Sequence, residues 1–162
     1  MMHVIKNRQI VQDNWVLLDD DAALPVAGDV IVSLRRWTED REALGTHAGD
    51  VGVCISGDDE LEVLLPELIS LPLIALYFPK FVDGRNYSNA RLLRERYSYR
   101  GELRAVGDVQ RDQLHFMARC GIDSFELAPD QDVDAALKGL DDFSLSYQPA
   151  ADQRRTVFQL RR

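Results

Sequence analysis

Residues 51–78 read VGVCISGDDELEVLLPELISLPLIALYF, and their reading decides the fold. Two short apolar runs, VGVCIS and LPLIALYF, have strand composition. The segment between them, DDELEVLLPELISL, is too long for a hairpin turn and has helix length. Strand, crossover helix and strand make a β-α-β unit with a parallel pair. Pro66 sits inside the crossover, so that helix is predicted to kink or to begin late.

The same alternation extends outward. Upstream, VIVSL (30–34) is followed by TEDREALGTHA (38–48). Downstream come SNARLLRERY (88–97), GELRAVG (101–107), VQRDQLHFMARCG (109–121), IDSFEL (122–127), DQDVDAALKGL (130–140) and FSLSY (143–147). Val133, Ala136, Leu137 and Leu140 form one helical stripe. Right-handed crossovers follow from the parallel pairing. The expected fold is α/β, with a mainly parallel open sheet of five to six strands flanked by helices. An open doubly wound sheet is favoured over a partial barrel, five or six strands being too few for an eight-stranded barrel. Before this core, HVIK, QIVQ and WVLL, divided by Asn7-Arg8 and Asp13-Asn14, predict a short antiparallel meander within residues 1–20. The expected organisation is a single domain over 1–162, with a β-α core over 30–147 and a tail over 148–162 whose TVFQL (156–160) suits an edge strand.

The 162 residues carry a net charge of −8, unevenly placed. Between Lys80 and Cys120 nine Lys/Arg face five Asp/Glu, so this segment is +4 and the remainder −12. The acidic balance argues against nucleic acid and anionic membranes as partners, because phosphate contacts need a positive surface. No apolar run approaches the roughly 20 residues of a bilayer span. The first residues lack the order of a signal peptide, so a cytoplasmic location is expected. Two cysteines, Cys54 and Cys120, cannot fill a four-thiolate zinc or iron–sulfur site, and His3, His47 and His115 show no ligand spacing. The expectation is a chain without a metal or a cofactor, and with inert thiols.

Ligands of parallel α/β sheets gather beyond the carboxyl ends of strands. One such end is PKFVDGRNYS (79–88). Asp83-Gly84 reads as a turn and Ser88 as the N-cap of the next helix. Arg85 before that helix and Arg91 in its first turn point to an anion site, with Tyr87 as a wall. The bland alternative is that Ser88 only caps and the arginines are solvated or paired. At VGDVQRD (106–112), Asp108 is read as a helix cap and Asp112 as a first-turn acid. The alternative there is that Asp108 and Asp112 face Arg85 and Arg104 at the sheet edge and hold them in place; a pocket lined by Arg85, Tyr87, Asp108 and Arg111 would suit an enzyme or a metabolite-sensing domain. No nucleophile–base pair or phosphate loop is present.

The segment F-x-x-F-x-D-G-R-x-Y-S-x-A-x-x-L-R, carried by Phe78, Phe81, Asp83 to Arg85, Tyr87, Ser88, Ala90 and Arg94, resembles the shared block of a bacterial family of unknown function. The similarity continues through Gly101 to Ala105, Gly107 to Val109, Asp112 to Leu114, Arg119, Gly121 and Asp123. It departs at Asn86, often glycine there, and at Ile122, often phenylalanine. Members are described as probable oxidoreductases in sulfite reduction, found beside the sulfite reductase haemoprotein. The resemblance implies an accessory role in assimilatory sulfite or sulfate reduction, with the reductase or a small anionic metabolite as partner. An enzyme acting on a phosphorylated or sulfated small molecule, or a metabolite-sensing domain, is the alternative.

Overall fold

The computed structural model describes residues 2–80 and 83–140. Eight strands form one open, curled sheet: β1 Met2–Lys6, β2 Gln9–Asp13, β3 Val16–Leu17, β4 Val30–Ser33, β5 Val51–Ile55, β6 Leu73–Phe78, β7 Glu102–Gly107 and β8 Ser124–Phe125. Five α-helices accompany them: α1 Leu34–Glu39, α2 Arg41–Gly45, α3 Arg85–Arg91, α4 Leu114–Arg119 and α5 Val133–Gly139. The α/β class and mostly parallel sheet follow the sequence expectation, but the strand count is eight, not five to six. FSLSY, TVFQL and Phe81 lie outside the described residues.

The strand order is β2-β1-β8-β7-β6-β5-β4-β3. From β3 to β8 every neighbour is parallel and sequential. The order never reverses, so the doubly wound arrangement is corrected to a singly wound one. The hairpin β1–β2 turns at Asn7 (φ 49) and Arg8 (φ 63), the two positive-φ positions that a two-residue turn needs. β1 then adds antiparallel to β8. The expected meander stops there. WVLL contributes β3, which pairs with β4 at the far edge.

That placement requires the curl. A flat sheet would hold β2 and β3 about 34 Å apart, seven strand spacings of about 4.8 Å. Only Asn14 and Trp15 join them, and three Cα steps reach at most about 11 Å.

Alternation along the strands gives the sheet two buried faces. Val53, Ile55, Ile74, Leu76, Phe78, Leu103, Ala105 and Phe125 pack against helical Ala90, Leu93, Leu114, Met117 and Ala136. The opposite, inner face carries a smaller cluster of Ile31, Leu73, Ala75 and Val106, with Trp15 and Cys54 against it. The crossover between β5 and β6 is a ten-residue 3-10 helix over Leu61–Ser70 that contains Pro66. A proline donates no backbone hydrogen bond, which disfavours a regular α-helix there.

Candidate functional site

The loops after β5 and β6 meet around Arg85. Its Nε and Nη2 donate to the Asp83 carboxylate at 3.0 and 2.7 Å, and its Nη1 donates to Asp58 from the β5 loop. A Cβ on Gly57 would lie 2.7 Å from Arg85 Cβ and Nε, so glycine lets this side chain cross the loop. The Asp83 carboxyl is held down at about 2 by its hydrogen bonds from the Arg85 side chain and backbone, and the guanidinium is raised in turn. Asp83 also accepts from the Arg85 backbone N–H at 3.2 Å. The anion expected at this helix start is thus supplied by the chain itself.

Ser88 is not the N-cap. α3 begins three residues earlier, at Arg85, with Gly84 at the cap position and no side-chain cap bond. The Gly84 carbonyl accepts from Tyr87 N–H at 3.1 Å and starts the helix inside the predicted turn. Tyr87 packs between Phe78 and Phe116, with ring centroids 5.2 and 5.1 Å away. Buried Asn86 ties the β6 end down through Nδ2–H to the Tyr77 carbonyl at 2.7 Å. Arg91 makes a surface contact with Glu95 at 3.4 Å.

Arg104 does not join this loop. It is 1% exposed on the inner face and forks Asp13 of β2 through Nη1 and Nη2 at 2.7 and 2.8 Å. Its Nε and Nη2 donate to Glu102 at 2.9 and 2.7 Å, and Lys6 reaches the other Glu102 oxygen at 2.5 Å. Two cations thus balance two anions. Burial alone would raise Glu102, but Lys6 and Arg104 reverse it and hold the carboxyl below its ordinary value. Burial would lower Arg104, and Asp13 and Glu102 reverse that as well. Beside this network Glu126 is pushed up by burial; Arg104 opposes the shift and Asp13 adds to it.

Asp108 and Asp112 hold neither arginine. Asp108 accepts from Gln110 Nε2 at 2.7 Å. It does not cap the helix either, because Gln110 and Gln113 form a reciprocal capping box there. Asp112 is a first-turn acid, as expected. Arg111 lies against Gly139 of α5, and its N–H donates to Gln131 at 3.1 Å. Arg85, Arg104 and Arg111 therefore stand in three separate settings.

Other residues of the family pattern have structural work. Arg94 donates to the carbonyls of Gly121 (2.8 Å), Tyr99 (2.9 Å) and Gly101 (2.9 Å) and to Asp123 (3.0 Å). Asp123 accepts from Leu103 N–H at 2.9 Å, which fixes the start of β7. Burial pushes Cys54 up to about 12, with Asp59 and Glu126 adding to the shift, and Cys120 is buried. Among the described residues no group of three or more His, Cys, Asp or Glu is arranged to hold a metal, and no helix is long and apolar enough to cross a membrane.

The sequence does not place Arg96 and Arg100 among the candidate site residues. Arg96 and Arg100 make no ion pair among the described residues; Arg96 lies over the Tyr97 ring at 5.7 Å. They border a groove of about 590 Å³ whose other wall carries Leu65 and Ile69. The surplus of arginine over acid in residues 80–120 was the available signal.

Residues 52–158 match the model of the family described as bacterial protein of unknown function (DUF934), and the chain belongs to that family. Among curated proteins none matches the chain.

Proposed function

We propose that this DUF934 member is a cytoplasmic accessory protein of assimilatory sulfite reduction that works by docking on a partner, the sulfite reductase haemoprotein first among them. The supporting observation is the contrast between its arginines. Arg85 and Arg104 are each engaged by two carboxylates, whereas Arg96 and Arg100 have no ion pair among the described residues. Unneutralised arginine beside aromatic and exposed apolar groups has the composition of a recognition surface. The test is a deletion strain grown on sulfate, sulfite or cysteine. We expect growth to fail on sulfate and sulfite and to recover on cysteine. Equal growth on all three, or a defect that cysteine does not relieve, overturns the sulfite role.

A second reading keeps an anionic metabolite at the Arg85 loop, formed by Asp83, Gly84, Arg85, Tyr87 and Ser88. It is favoured by Asp58, whose side chain is 79% exposed and therefore easily displaced. Asp58→Asn should then strengthen sulfite or sulfate binding measured by calorimetry. No binding by either protein discards this reading.

A further inference from the structure

The groove between the 3-10 helix and the Tyr97–Gly101 loop has walls of different chemistry. Ile69 is 100% exposed and Leu65 36% exposed on one wall. Arg96, Tyr97 and Arg100 stand on the other. A fully exposed isoleucine in the same groove as guanidinium groups that make no ion pair among the described residues has no packing role within those residues.

The backbone building this wall is uncommon. Residues Leu92–Arg96 form a π-helical turn in which Tyr97 N–H donates to the Leu92 carbonyl at 3.0 Å. Such turns are rare and concentrate at functional sites. Ser98 follows at φ 54, a left-handed position that a residue with a side chain seldom occupies. The strain is held in place. Arg94 binds the Tyr99 and Gly101 carbonyls, and Tyr99 Oη donates to the Leu71 carbonyl at 2.9 Å, linking the loop to the residue after the 3-10 helix. The groove is thereby preorganised, which lowers the ordering cost of binding.

We infer that this groove receives an acidic segment of a partner protein that also presents an apolar side chain. Carboxylates would pair with Arg96 and Arg100, and the apolar group would cover Ile69 and Leu65. Charge complementarity selects this occupant: the patch is cationic on a chain of net charge −8, so it repels a second cationic surface and attracts an anionic one locally. The inference deepens the docking reading by naming its surface, and rests on it.

The test uses the full chain and three labelled twelve-residue peptides followed by fluorescence anisotropy. One alternates Glu with Leu and Phe, the second has Lys for Glu, and the third has Ser for Leu and Phe. The first should bind at least about tenfold more tightly than either control. Arg96→Glu/Arg100→Glu and Ile69→Ser should each weaken it to control level with unchanged circular dichroism. Lys138→Glu, the same kind of charge change on α5, should not. Equal binding of the Lys peptide, no saturable binding at millimolar peptide, or indifference to the groove variants overturns the inference. Stronger binding of polyuridine or phosphatidylserine vesicles, or a dimer that Ile69→Ser dissolves, would reassign the groove to those occupants. A peptide that binds as stated while the deletion strain grows normally on sulfate would leave the groove standing and remove sulfite reduction as its context.

Discussion

Arg104 shows how far a residue's role depends on partners distant in sequence. Its main counterion, Asp13, is 91 positions away, and only the curl brings them together. In a flat sheet β2 and β7 would be separated by about 14 Å, three strand spacings. Arg104→Met would leave Asp13 and Glu102 buried against Lys6 alone. It should cost roughly 3–5 kcal/mol, the range for breaking a buried ion pair from one side. Urea unfolding measures this, and a loss below about 1 kcal/mol, the scale of an exposed pair, would show that water reaches the network. Sequence reading placed Arg104 with the ligand-binding arginines because β-strand alternation says which face a side chain is on, not what stands across from it. The same limit applies to Arg85. Its type and its position near a helix start were legible, but Asp58, 27 residues earlier, was not.

At the scale of elements, composition located strands well and helix starts less well. Composition predicts that the turn at Asp83-Gly84 precedes the helix, yet it opens it. Asp83 satisfies the first N–H, so Ser88 is not needed as a cap and becomes the fourth residue of α3. The ten-residue 3-10 run and the π turn had no sequence signal beyond Pro66. Hydrophobic periodicity marks which face is buried and does not separate neighbouring helix types over one or two turns. GELRAVG ends where β7 ends, and the structure adds the demand on Gly107. Its φ is +98, and a Cβ there would lie 2.5 Å from the Phe78 carbonyl oxygen. That carbonyl accepts from Asp108 N–H at 2.7 Å, closing β7 against β6. Gly107→Ala should therefore destabilise by more than about 1 kcal/mol, opposite in sign to a glycine replaced at a compatible position. Thermal unfolding decides it, and an unchanged or raised midpoint would mean that the loop relaxes freely.

For the whole molecule, β-α alternation made the parallel sheet legible, while strand order was not. Pairing VGVCI with LPLIALYF says that neighbours in sequence are neighbours in space; it does not say whether the winding later reverses. The structure keeps one direction from β3 to β8, and the opening hairpin extends the sheet at β8. The third apolar run, WVLL, resembles a meander strand locally, and only the two-residue link through Trp15 carries it to the opposite edge. The family pattern then divides between uses. Arg94, Gly101, Gly121 and Asp123 bind the starts of β7 and β8, Glu102 and Arg104 hold the curl, and Asp83 and Arg85 pair with each other. Apart from these, Arg96 and Arg100, which make no ion pair among the described residues, flank Tyr97 at the rim of the groove. Docking through this rim is tested most directly by titrating the sulfite reductase haemoprotein into the wild-type chain, Arg85→Ala and Arg96→Glu/Arg100→Glu. Wild type and Arg85→Ala should bind alike, and the double variant should bind at least about tenfold more weakly, a difference of roughly 1.4 kcal/mol. Loss of binding in Arg85→Ala with full binding by the double variant would contradict docking at the groove and return the function to the loop after β6.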